Sequence, residues 1–212
     1  MANAFQAEVA AEDMSRLADL ADSLAYRLPG CDDLTLRKTI QEVYREFCRE
    51  TKCLQFMHRV ELKGGEDTFG VAALLPNAIV GEIREVVLGR TKLRRDLDYF
   101  VIEGPCPTVR MDPRLVVSAT GGVEEMAAHI SVLAVEYPKI GSEETTAGFM
   151  DMHGDAIASG VMARLCSMQA KPWSDMQTAA SELVRYQNAK SEMRMRRELL
   201  PGGRCIDTSE IL

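Results

Sequence analysis

The sequence predicts an α+β fold, with helices at both ends of the chain flanking a central antiparallel β insert. Three observations predict it. Apolar side chains recur every three or four residues from Leu36 to Leu54, which is the period of an amphipathic helix. From Leu54 to Leu62 the pattern changes to strict alternation, the period of a half-buried strand. Beyond Pro138 and a polar link, the chain returns to long helical segments. Two terminal helical blocks without short β connections suggest that the helices pack together and the strands form their own layer.

Residues 7–28 carry Val9, Met14, Leu17, Leu20, Leu24 and Leu28 at helical spacings, and Pro29-Gly30 ends the segment. Asp32 or Asp33 is placed to cap the next helix. Its apolar row is Leu36, Ile40, Val43, Phe47, Thr51 and Leu54, and its opposite side holds Arg37, Lys38, Glu42, Arg45 and Arg49. The first strand sets Leu54, Phe56, His58, Val60 and Leu62 on one side. Gly64-Gly65-Glu66-Asp67 supplies a turn, and strand is expected over Thr68–Leu75. Ala78–Leu88 is apolar and β-branched and turns at Gly89-Arg90. Tyr99–Glu103, Pro107–Met111, Leu115–Ala119 and Ile130–Tyr137 read as further strands, with Pro105, Pro107 and Pro113 between them. Gly141–Thr146 is a polar link. Phe149–Met168 and Ser174–Glu198 are the closing helices, the second with Ser174 and Gln177 at capping-box spacing. The organisation expected is a helical domain from residues 1–53 and 147–199, a β-rich insert over 54–140, and a tail over 200–212.

Hydrophobic residues make up 46% of the chain and charged residues 27%, so a buried core is expected and wholesale disorder is not. The net charge of -7 argues against a broad grip on nucleic-acid phosphates, which needs clustered Lys and Arg. An acidic protein can still surround DNA if the duplex is to slide. No secretory leader is visible, no apolar run is long enough to span a membrane, and the six scattered cysteines read as reduced thiols.

No constellation points to chemistry. Cys48, Cys53 and His58 are spaced too widely for a zinc site and lack a fourth ligand. His153 and Asp155 are two apart and face different sides of one helix. His129 has no partner identifiable from the sequence. There is no GxSxG elbow, and Gly64-Gly65 and Gly121-Gly122 do not continue into a phosphate loop. No cofactor or metal is expected. Lys92, Arg94 and Arg95 form the dense positive patch of the middle region, either a solvated loop or a contact for an acidic neighbour. Ala156, Gly160 and Ala163 form a face of small residues, suited to close helix packing within one subunit or between subunits.

Three phrases, in order, resemble the head-to-tail adaptor (connector) proteins of tailed bacteriophages, the short-tailed type especially. The first is Leu28-Pro29-Gly30-Cys31 with the helix ending Tyr44-Arg45-Glu46-Phe47-Cys48-Arg49-Glu50-Thr51. The second is the change to strands at Leu54 with a long β insert. The third is His153-Gly154-Asp155-Ala156-Ile157-Ala158-Ser159-Gly160-Val161-Met162-Ala163-Arg164-Leu165, followed by Lys171-Pro172-Trp173-Ser174-Asp175. Met152-His153 stands where the family has an acidic-aromatic pair, and Gln169-Ala170 where it has Pro-Gly.

The resemblance implies a structural, non-enzymatic virion protein, assembled in the host cytoplasm and lodged in the neck between capsid and tail. It implies a homo-oligomeric ring of about twelve subunits held by many modest contacts. The partners implied are the portal protein and the tail nozzle or tube, with viral DNA passing through the channel during ejection and no membrane involved. On this reading Ala156, Gly160, Ala163, Trp173, Ile206, Ile211 and Leu212 are expected at subunit or portal contacts, and Lys92, Arg94 and Arg95 toward the tail. Trp173 serves equally as an anchor between the last two helices. Alternatives are a long-tailed phage connector, a tail-completion protein, and, from another class, a thiol-dependent enzyme using Cys48 or Cys166 with His58 or His153.

Overall fold

The helix expected over residues 33–54 forms as Asp33–Thr51 (α2), and its ends show why it stops where it does. The Asp32 carboxylate accepts the Thr35 amide at 2.8 Å, so Asp32 is the N-cap. At the other end Lys52 takes a left-handed φ of 53°, and its amide returns to the Cys48 carbonyl at 2.9 Å. Leu36, Ile40, Val43, Phe47 and Thr51 are all buried, as the period requires. A computed structural model describes residues 14–63, 66–104, 106–120 and 127–199. These divide into two compact units, one from the chain up to Cys53 and from Pro138 onward, the other from Leu54 to Tyr137.

The first unit is helical. Strand Met14–Arg16 (β1) leads into helix Leu17–Ala25 (α1), then α2; strand Glu144–Thr146 (β9) leads into helix Ala147–Cys166 (α4) and then helix Met176–Leu199 (α5). Here the first expected helix is corrected. Residues 7–13 lie outside the described residues; from Met14 the chain is strand up to Arg16, paired antiparallel with Glu144–Thr146 inside the expected polar link, and helix from Leu17. Leu17, Ala21 and Leu24 form the buried face of α1. Thr146 caps α4 by accepting the Phe149 amide at 3.3 Å. The second half of α4 is buried on nearly every side (Gly160, Val161, Met162, Ala163, Leu165, Cys166), as befits a central helix. The cap of α5 is also corrected: Asp175, not Ser174, accepts the amides of Gln177 (3.0 Å) and Thr178 (3.2 Å). Its carboxyl is held below the ordinary range, first by the Thr178 hydroxyl.

The second unit holds strands Gln55–Lys63 (β2), Thr68–Gly70 (β3), Ala78–Leu88 (β4), Thr91–Lys92 (β5), Tyr99–Ile102 (β6), Thr108–Met111 (β7) and Ala127–Pro138 (β8), with one helix, Pro113–Thr120 (α3). One sheet runs β2-β8-β4-β5 and another β3-β7-β6. The β2–β8 ladder is antiparallel, from Gln55 opposite Val135 to Lys63 opposite Ala127. Phe56, His58, Val60 and Leu62 are buried while Arg59 and Glu61 are exposed, as alternation predicts. The core joins Val60, Leu62, Val86, Tyr99, Val109, Met111, Ile130 and Val132.

Two expectations fail in this unit. Leu115–Ala119 is helix, not strand: Asp112 accepts the Arg114 amide on its side chain (2.9 Å) and the Leu115 amide on its carbonyl (3.0 Å), and Pro113 opens the first turn. Burying Val116 and exposing Val117 suits one turn of helix as well as a strand. The strand at Thr68 ends at Gly70, after which the chain is held by other means. The Val71 amide reaches the Pro107 carbonyl at 2.9 Å, and the fully buried Glu136 carboxylate accepts the amides of Leu74 (2.6 Å) and Leu75 (3.0 Å). His58 Nε2 stands 3.4 Å from the same carboxylate.

Candidate functional site

The first and third phrases of the sequence meet in the helical unit. Gly160 of α4 lies so close to α2 and α5 that a Cβ there would sit 2.6 Å from Val43 Cγ1 and 2.9 Å from Tyr186 Cε2. Phe47 packs on Phe149, His153 and Tyr186, with ring centroids 6.3, 5.5 and 6.1 Å away. Glu46 takes an ion pair from Arg164, a second from Lys190 at 3.2 Å, and a hydrogen bond from the Tyr186 hydroxyl at 3.3 Å. Buried Lys190 also reaches Glu50 at 3.1 Å and covers the Tyr186 ring. The loop at Gly30 lies against Pro172, and Arg27 pairs with buried Glu182 at 3.0 Å. Residues more than a hundred positions apart are thus spent on one helix-to-helix joint.

This placement corrects the contact assignments for Gly160 and Ala163. Both are buried within the subunit, so their small size serves the packing of its own helices. Trp173 is likewise turned inward, 9% exposed, with Lys171 Nζ 5.7 Å from its ring centroid. Ala156 is half-buried. Ile206, Ile211 and Leu212 lie outside the described residues. Lys92 pairs with Glu85 at 2.6 Å and Arg94 with Asp98 at 3.1 Å; both remain exposed, as does Arg95. His129, for which the sequence offered no partner, stands 3.3 Å from Glu61, directly opposite it in the β2–β8 ladder.

Cys48 and Cys166 are poor nucleophiles at rest. Burial pushes the Cys48 thiol well up, and the neighbouring Cys53 adds to this; burial and Asp175 raise Cys166. His153 packs its ring on Phe47 and Phe149. Among the described residues no group of three or more His, Cys, Asp or Glu is arranged to hold a metal ion. No described helix is long and apolar enough to cross a membrane.

Burial holds the His153 imidazole below its ordinary pKa, with Arg196 adding to the effect. The unfolded chain therefore binds this proton more readily, and the folded unit loses stability as pH falls below the ordinary histidine value. A denaturation midpoint that drops between pH 7 and 5, with the drop reduced in His153→Phe, is the expected result. An unchanged slope in that variant removes His153 as the source.

What is left exposed is more telling. An open groove of about 970 Å³ follows the outer face of α2, with Leu34 and Ile140 exposed at one end. Arg45 lines it, with a buried Nε that has no hydrogen-bond partner among the described residues. An unmet buried donor costs about 1–3 kcal/mol and calls for an explanation. Along α5, Met176, Leu183, Val184 and Met195 stand outside the buried row, Val184 at 59% exposure. The basic side of α2 is visible in the sequence; which of its charges find partners is not.

No family model matches the chain, and no curated protein is significantly similar to it.

Proposed function

We propose that the chain is a structural subunit of a bacteriophage neck, a head-to-tail adaptor that assembles with its own copies into a ring between portal and tail. The observation that carries this reading is the meeting of the helix that ends in the first quoted phrase with the third phrase: Glu46 pairs with Arg164, and Gly160 lies against Val43 of that helix. The residues that carry the resemblance thus pack together within one subunit. The exposed neighbours Leu183 and Val184 on α5 offer apolar surface that an assembly would cover. The net charge of -7 suits a channel wall that does not hold the duplex. The chemistry of the protein is interface burial, and the raised thiol pKa values of Cys48 and Cys166 favour this over nucleophilic catalysis.

Mixing the full chain with isolated portal rings and imaging by negative stain tests the reading. A closed annulus stacked on the portal is expected; portals that stay bare at micromolar adaptor overturn it. Leu183→Asp with Val184→Asp places two charges on this α5 surface. The variant should keep its far-UV circular dichroism while losing annulus occupancy by about tenfold or more. Undiminished occupancy would remove these two residues from the assembly surface.

A further inference from the structure

The helical unit carries two faces with charges that have no partner among the described residues. Lys38, Arg45 and Arg49 lie on the side of α2 away from Val43 and Phe47, the residues that pack toward α4. The other charges in the groove are largely spoken for. Glu46 and Glu42 pair with Arg164, Glu50 with Lys190 and Arg194, and Arg37 with Asp33. Lys38, Arg45 and Arg49 have neither hydrogen bond nor ion pair among the described residues, and Arg45 Nε is closed off from solvent.

On α4 the opposite situation holds. Asp151 and Asp155, one turn apart, lie away from His153 and Gly160, the residues that pack toward α2 and α5. Both carboxylates are exposed and unpartnered among the described residues, and between them Met152 is 64% exposed. One face is a groove of mixed charge, in which unpaired Lys38, Arg45 and Arg49 outnumber the one carboxylate without an ion pair among the described residues, Glu143, beside apolar Leu34 and Ile140; the other is an exposed helix face, acidic with apolar Met152. Because α2 and α4 pack against each other, their outer faces point in opposing directions.

We infer that the α2 groove receives the Asp151–Asp155 face of α4 from a second copy of this chain. The unpaired charges of the two surfaces are opposite in sign, and each carries an exposed apolar side chain to bury beside them. Because the surfaces differ, the contact is heterologous: every subunit uses its groove on one neighbour and offers its α4 face to the other, which builds a closed ring or an open helix. This inference deepens the ring reading above and rests on it for the choice of a second copy as occupant.

The test is isotopic. Full-length chain in light and ¹⁵N-labelled forms is mixed, alone at high concentration and with portal rings, and treated with a carbodiimide that joins a carboxylate to an amine in contact. Mixed-isotope peptides linking Lys38 to Asp151 or Asp155 are expected. Arg45→Glu with Arg49→Glu should lower their yield at least tenfold, and adding Asp151→Arg with Asp155→Arg should restore mixed-isotope complexes in solution. The milder Arg45→Gln with Arg49→Gln, checked by circular dichroism, guards against misfolding, and raising salt should weaken linking of the native chain. No mixed-isotope link, or a yield indifferent to both charge changes, overturns the inference. An annulus on the portal without these links sinks the pairing and leaves the adaptor reading standing; links without an annulus do the reverse.

Discussion

Glu136→Ala should destabilise the β unit by about 3 kcal/mol, because two backbone amides lose their acceptor at once. Those amides belong to Leu74 and Leu75, in a stretch that has no ladder partner after Gly70. The Glu136 side chain is fully buried, so water does not readily replace it, and the small alanine leaves a void as well. Glu136→Gln retains one acceptor oxygen of similar shape and should lose roughly half as much. Hydrogen exchange at the Leu74 and Leu75 amides is the direct measurement, with urea denaturation giving the total. Amides that stay protected in Glu136→Ala would mean that the segment is held by its apolar contacts instead.

Gly160→Val should cost the helical unit about 3 kcal/mol or more. A Cβ alone would come within 2.6 Å of Val43 and 2.9 Å of Tyr186, and valine adds two methyl groups beyond it. Gly160→Ala is the informative companion. Alanine gains about 1 kcal/mol over glycine in a helix, yet α2 and α5 must still move apart, so a net loss of about 1–2 kcal/mol is expected. The fluorescence of Trp173, the single tryptophan, follows unfolding of this unit. If Gly160→Ala is stabilising, the closeness of these helices is not what the glycine provides.

The sequence made periodic elements legible because period is a local property. The α2 face from Leu36 to Thr51 and the β2 alternation from Phe56 to Leu62 were both readable, and with them the α+β class. What was not readable depends on distant partners. Met14–Arg16 continues a helical pattern and becomes strand only because Glu144–Thr146 lies beside it. Leu115-Val116-Val117 looks like strand until the Asp112-Pro113 start is weighed as a cap. The clasp of Glu136 on Leu74 and Leu75 joins a strand residue to irregular backbone, and no spacing rule announces it.

The same limit governs the site. Small residues at Ala156, Gly160 and Ala163 announce a close approach, but size says nothing about whose helix approaches; for Gly160 it is Val43 and Tyr186 of the same chain. The basic side of α2 was visible in the sequence. That Arg164, Lys190 and Arg194 would claim its glutamates, leaving Arg45 and Arg49 unmatched, follows only from three helices lying together.

The β2–β8 ladder opens with Gln55 opposite Val135, so the excursion from Leu54 to Tyr137 departs and comes home along adjoining strands. Such an arrangement makes the excursion modular. Its distal loops are free to lengthen, shorten or be exchanged in evolution while the exit and return stay one strand spacing apart. A lineage can thereby retarget this excursion to new companions and leave the helices under an entirely separate selection.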